Sequence, residues 1–146
     1  MDVELREITS DTVRAICSLE VAEGQRDFVA PNAISIAEAH FVPTHWMRAI
    51  YADDEPAGFV LTYELPDEPT YYLWRFMVAD GFQRRGIGRR AMELLLDRWR
   101  NLGADVASLS VVPANPDAIA FYESLGFRLT GEEEHGELVM RADLGA

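Results

Sequence analysis

The sequence predicts a mixed α/β domain: a central mixed sheet of about six or seven strands, an antiparallel meander followed by a parallel β-α-β crossover, with about four helices. Two observations carry this. Between residues 47 and 78, runs rich in aromatic and branched apolar residues are separated by clusters of Asp, Glu and Pro, the pattern of neighbouring antiparallel strands. From residue 70 onward strand and helix alternate, and two strands joined through a helix lie parallel. No stretch has linker composition, so residues 1–146 are expected to form one domain.

The elements follow in order. Residues 3–8 alternate like a strand, and Thr9-Ser10-Asp11 offers N-caps for a helix carrying Val13, Ile16 and Leu19. Segment 21–34 is polar and irregular, and Ser35-Ile36-Ala37-Glu38 has the capping-box spacing that starts a short helix. Met47–Ala52 and Gly58–Glu64 read as strands around a turn at Asp53-Asp54-Glu55-Pro56. Pro66-Asp67-Glu68-Pro69 makes the next turn, and Thr70–Val78 is a long aromatic strand. Ile87, Ala91, Leu94, Leu95, Trp99 and Leu102 then recur at helical spacing, with Gly103 as the stop. Val106–Val112 is a strand, and Pro116–Leu125 a helix with Pro in its first turn and Gly126 past its end. Phe127–Thr130 and Glu137–Arg141 close the chain as strands.

Composition narrows the function. With 146 residues, 49% of them hydrophobic, the chain can bury a single core. Its charged start, Met1–Arg6, is unlike a signal peptide, and no apolar run approaches the ~20 residues that span a bilayer, so a cytoplasmic protein without a membrane partner is expected. The lone cysteine, Cys17, suits a reducing compartment and reads as a small apolar residue of the first helix rather than a nucleophile. His40, His45 and His135 lack the spacing of metal ligands, and no metal is expected. Twenty-five acidic residues oppose thirteen basic ones, a net charge of −12 that excludes nucleic acid as a natural partner. An acidic field attracts cations, although net acidity also serves solubility alone. Against that background Arg84, Arg85, Arg89 and Arg90 fall together, a local basic cluster that asks for an anion.

That cluster sits in Gln83-Arg84-Arg85-Gly86-Ile87-Gly88, which leads straight into the long helix. A helix N-terminus exposes unpaired N–H groups that bind phosphate oxygens, and glycines let the backbone approach a diphosphate. Residues 86–91 also match the Gly-x-Gly-x-x-Ala form of a dinucleotide fingerprint. Against it, the glycines lie eight residues beyond the strand, antiparallel strands precede them, and Val111-Val112-Pro113 offers no acidic residue for a ribose. Turn and cap duty alone is the remaining reading of these glycines. Further on, Asn115 precedes a helix bearing Ile119, Phe121, Tyr122 and Leu125, apolar residues too widely spread to face one core. Tyr122 has a phenol of pKa ~10 that could protonate a departing thiolate, although packing alone also explains such an aromatic.

Taken together, strand, Gln-x-x-Gly-x-Gly, long helix, strand and Asn-x-x-Ala-x-x-Phe-Tyr-x-x-x-Gly-Phe resemble the Gcn5-related N-acetyltransferase (GNAT) superfamily over residues 70–127. The resemblance implies an acetyl-CoA-dependent N-acetyltransferase working by direct attack of an amine on the thioester. It implies that Gln83, Arg84, Arg85, Gly86, Ile87, Gly88 and Arg89 cradle the coenzyme A pyrophosphate. Main-chain groups of Phe76, Met77 and Val78 would pair with the pantetheine arm, Asn115 would touch it, and Tyr122 would be the general acid. Many members place a basic carboxylate on the central strand, where this chain has Arg75, so Glu23, Asp27 and Glu64 are the candidate bases.

Residues 21–32, Ala37-Glu38-Ala39 and Leu73-Trp74-Arg75 are similar to the bacterial diamine and spermine/spermidine acetyltransferase branch. That likeness implies a polyamine acceptor, with Glu23, Asp27, Glu38 and Glu64 binding ammonium groups and Trp46, Tyr72 and Trp74 stacking on methylene stems. Surface carboxylates and core aromatics explain each residue singly. An antibiotic amine, an amino acid or a protein N-terminus is the alternative acceptor, and a silent acyl-CoA-binding module the alternative class. A homodimer through the last strands is allowed by the resemblance and not indicated by the sequence.

Overall fold

A computed structural model describes residues 1–65 and 67–145. Seven strands form one mixed sheet in the order β1-β2-β3-β4-β5-β7-β6. They are β1 (Val3–Arg6), β2 (His45–Ala52), β3 (Glu55–Tyr63), β4 (Thr70–Val78), β5 (Val106–Val111), β6 (Arg128–Glu134) and β7 (Glu137–Asp143). The helices are α1 (Val13–Cys17), α2 (Asn32–Ala39), α3 (Ile87–Asn101) and α4 (Pro116–Ser124), with a 3-10 segment at Glu23–Phe28. The expected meander, crossover helix and parallel pair are all present, the pair being β4 with β5. No helix among the described residues is long and apolar enough to cross a membrane.

Boundaries differ where chemistry was hidden. The turn between β2 and β3 takes only Asp53 and Asp54, at φ 48° and 68°, so β3 starts before Gly58. Positive φ at both central residues matches the twist of a two-residue hairpin. His135 and Gly136, at φ 50° and 81°, make the same kind of turn and lengthen β6 and β7 beyond the expected pair. Ser35 does not open α2. The helix begins at Asn32, whose buried amide donates to the Ile16 carbonyl at 2.9 Å and ties it to α1. The turn expected at 66–69 includes Pro66, which lies outside the described residues.

The sheet has a core on each face. Ile87, Ala91, Met92, Leu95, Leu96 and Trp99 form the buried stripe of α3, one turn after another. Leu94 is thereby turned to the flank, and Leu102 lies exposed past the helix end, which corrects their expected place in the stripe. On the opposite face Ile16, Ala39, Ala49, Phe59, Leu61 and Met77 pack under α1 and α2. Ile119, Phe121, Tyr122 and Leu125 do share one core: all four are partly buried against the α3-side cluster, at its rim rather than within it.

One irregularity positions the site. Leu61 pairs with Arg75 and Thr62 with Leu73, so Trp74 is an extra residue bulged out of β4. The bulge reverses the alternation, putting Leu73 and then Phe76 towards the α3 side while Trp74 and Met77 face α1 and α2. The ladder between β4 and β5 ends at the same point, Leu73 with Leu109. Beyond it β4 stays with β3 up to Val78, whereas β5 stays with β7 up to Val111. The two strands splay apart. Gly58 serves the first of these pairings, since a Cβ there would collide with the Met77 carbonyl oxygen.

Candidate active site

The wedge between β4 and β5 opens into two adjoining clefts, of about 420 and 500 Å³. Both are lined by Phe28, Val29, Phe76, Asn115, Ala118 and Tyr122. These shared residues mark the junction.

The first cleft runs from the junction to the start of α3. Gly86 has φ 80°, a left-handed conformation natural to glycine, and no side chain among the described residues caps the helix. The backbone N–H groups of residues 84 to 89 meet no acceptor among the described residues. Arg84, Arg85 and Arg89 have no carboxylate partner within 4.0 Å there either, and Arg84 and Arg89 line the cleft. Unpaired N–H donors, the helix dipole and guanidinium groups without carboxylate partners make an anion site that fits a diphosphate. Gly88 keeps this wall low: a Cβ would lie 3.4 Å from Val78 and 3.8 Å from Phe76.

Three of the expected side chains have protein partners of their own, although Gln83 and Arg89 also line the cleft. The Gln83 amide donates to the Val78 carbonyl at 2.8 Å and to Gln25 at 2.7 Å, tying the loop to the end of β4 and to the 3-10 segment. Arg85 lies over Phe82 and outside the cleft lining. Arg89 reaches across to Ser124 of α4 at 3.2 Å. Met77 is buried, so only its main chain is offered to the cleft.

Helix α4 delivers the junction. Asn115 caps it, its Oδ1 accepting from the Ala118 N–H at 3.3 Å, with Pro116 following. That leaves the Asn115 NH₂ for the cleft. Phe121 stacks on Phe76 at 6.2 Å, and Tyr122 meets Phe127 edge-on at 5.8 Å. These contacts hold the Tyr122 ring, while its hydroxyl has no protein partner among the described residues. Burial raises the phenol above its ordinary value, so it stays protonated at neutral pH. A held, protonated phenol at the meeting of two clefts can deliver a proton.

A model of the acetyltransferase (GNAT) family matches residues 7–127. The chain belongs to that family. Its cosubstrate is acetyl-CoA, for which the unpaired N–H groups of residues 84 to 89 are suited. The chain is 45% identical to the [ribosomal protein bS18]-alanine N-acetyltransferase of Salmonella typhimurium over 76 residues. That match covers 52% of this chain and 50% of the relative, about half the length of each. With the spermine/spermidine N(1)-acetyltransferase of Bacillus subtilis it shares 24% identity, over 99% of this chain and 100% of the relative. In fold it is similar to the PaiA N-acetyltransferase of Thermoplasma acidophilum, solved in complex with coenzyme A, with TM-score 0.76, 14% identity, and 98% and 99% of the two chains covered. The Escherichia coli ribosomal-protein-S18-alanine N-acetyltransferase gives TM-score 0.76 at 21% identity, covering 99% and 96%.

The second cleft of this family member lies on the α1–α2 side of the junction. Asp27, Trp74 and Arg75 line it, together with Ser110 and Glu137, which the sequence did not single out. Glu137 opens β7 and comes level with β5 only through the β5–β7 register, which no local pattern reveals. Arg75 faces Glu38 at 3.6 Å. Asp27 and Glu137 have no cation partner within 4.0 Å among the described residues.

Glu23, Glu38, Glu64, Trp46 and Tyr72, five of the expected acceptor residues, lie outside this lining. Glu64 is 11% exposed and accepts from Arg98 at 2.8 Å and from the buried Trp99 Nε1 at 2.8 Å. It satisfies an indole N–H and neutralises Arg98, so neither cleft can use it as base or ammonium site. Glu23 is exposed at the start of the 3-10 segment and lines neither cleft. Trp46 lies between Arg48 and Arg98 at 4.6 and 4.1 Å, also away from both.

Proposed function

We propose that this protein transfers the acetyl group of acetyl-CoA to a primary amine of an elongated, cationic small molecule of the polyamine class. The observation that carries the reading is the junction itself: Tyr122 is common to a cleft ending in free N–H groups and a cleft walled by carboxylates without cation partners. The first suits the coenzyme, with residues 84, 86 to 89 and Asn115 along it and the main chain of residues 76 to 78 on its floor. Asp27 and Trp74 suit an ammonium group and its methylene stem. The net charge of −12 would draw such a cation in, and the full-length likeness to a spermine/spermidine acetyltransferase agrees.

The chemistry follows from these residues. An amine of pKa ~10.4 arrives as ammonium and must lose a proton before its lone pair can attack. Main-chain N–H groups at the free edge of β4 stabilise negative charge developing on the acetyl oxygen. Tyr122 gives its phenolic proton to the leaving sulfur, and Cys17, outside both clefts, takes no covalent part.

A second reading keeps the chemistry and makes the acceptor a protein N-terminus. The 45% identity to a ribosomal-protein alanine N-acetyltransferase favours it. Thiol release from acetyl-CoA across spermidine, spermine, putrescine, two aminoglycosides, free amino acids and an alanine-terminated peptide separates the readings. Release with polyamines is the expected result. Release with the peptide alone would replace the acceptor, and silence with acetyl-CoA bound would leave a binding module.

A further inference from the structure

The amine's proton needs a destination, and none of the carboxylates first considered is well placed to take it. We propose that Glu137, held by Ser110 and Tyr72, is the carboxylate that receives the acceptor ammonium and removes its proton. The inference rests on the acetyl-transfer reading and adds the base to it.

Three observations carry it. Glu137 and Ser110 line the second cleft together with Tyr122, and they also line the adjoining pocket walled by Tyr63, Tyr72 and Trp74. Glu137 Oε1 accepts from Ser110 Oγ at 3.0 Å, and Ser110 Oγ lies 2.8 Å from Tyr72 Oη. Because a carboxylate can only accept, Ser110 spends its proton on Glu137 and must accept from Tyr72, which fixes the direction of the whole chain. Finally, Glu137 Oε2 has no protein donor and the carboxylate no cation within 4.0 Å among the described residues, whereas Glu38 and Glu64 are both paired with arginines. Asp27 shares the cleft but is exposed, and among the described residues no hydrogen bond holds its carboxylate.

Burial raises the Tyr72 phenol, and the charges of Glu137 and Glu134 push it the same way, so Tyr72 remains a donor. The charged and titratable groups around Glu137 are Tyr63 on β3, Tyr72 and Arg75 on β4, Glu134 and His135 of the hairpin, Arg26 and Asp27 of the 3-10 segment, and Tyr122 on α4.

The step balances. The ammonium gives one proton to Glu137, and the free amine's lone pair forms the bond to the acyl carbon. The carbon–sulfur bond breaks, and the thiolate takes the Tyr122 proton. The nitrogen then loses its second proton, which restores the phenol through solvent. The Glu137 carboxylic acid releases its own to bulk water, so one proton is liberated per turnover.

Glu137→Gln tests this, because the amide oxygen can still accept from Ser110 but the side chain cannot take a proton. With the best amine of the panel, kcat/KM at pH 7.5 should fall about 100-fold, while the acetyl-CoA Kd stays within twofold. The residual rate should climb about tenfold per pH unit towards the amine's own pKa of ~10.4, where the wild-type rate has levelled off. Ser110→Ala should lose about tenfold, as the carboxylate remains but is no longer held. Turnover of Glu137→Gln within threefold of wild type, or an unchanged pH profile, overturns the assignment and leaves acetyl transfer intact. A wild-type protein that binds acetyl-CoA but acetylates no amine overturns both.

Discussion

The cleft on the α3 side of Tyr122 is walled largely by one contiguous stretch, residues 76 to 89, and much of what it offers is main chain. The cleft on the other side is assembled from side chains of the 3-10 segment, β4, β5, α4 and β7, far apart in sequence. The first can be conserved in geometry while its side chains vary, since an N–H group or a left-handed glycine performs the same task in any relative. The second changes whenever one of several distant residues changes. A family built this way keeps its acyl donor and varies its acceptor, which is the pattern among the relatives: one named for a ribosomal protein's alanine, another for spermine and spermidine.

Substitutions can break that contrast at different points. Tyr122→Phe, at the junction, should have the largest effect: kcat lower by roughly 100-fold, with the acetyl-CoA Kd unchanged by titration calorimetry. Because burial raises the phenol, wild-type kcat should show no loss of the donor up to about pH 10, an alkaline limb appearing only above it. Glu64→Ala lies outside both clefts and should act on stability alone. It strands the Trp99 N–H and the Arg98 charge, for about 2–3 kcal/mol in denaturant unfolding, with kcat within twofold. Gly86→Ala should cost about 1–2 kcal/mol, read as weaker acetyl-CoA binding or a lower Tm, because φ 80° strains any Cβ. Arg89→Ala should have the smallest effect, raising the KM for acetyl-CoA about threefold to tenfold, more at low salt, with the amine KM unchanged.

The same contrast explains what the sequence could disclose. Gln83 to Gly88 announced a helix N-terminus open to an anion, because that property is local to the turn. Even there the second task of Gln83, a tie between loop and strand, was hidden, since its partners Val78 and Gln25 lie on other elements. Glu64 read as a cleft carboxylate only while Trp99 and Arg98, on α3, were not yet known to sit over it. The bulge at Trp74, which inverts β4 and starts the splay, leaves no signature, because Leu, Trp and Arg all suit a strand. Glu137 was hidden in an acidic hairpin and acquires its place only from the β5–β7 register.

The two clefts would form one continuous path past Tyr122. A conjugate joining the coenzyme A sulfur to spermidine through an acetyl bridge tests it most directly, by titration calorimetry beside coenzyme A alone. The conjugate should bind at least ~100-fold tighter, because the second group docks without a separate loss of translational freedom. An affinity equal to that of coenzyme A would mean that the amine cannot enter the second cleft from the first, and would contradict it.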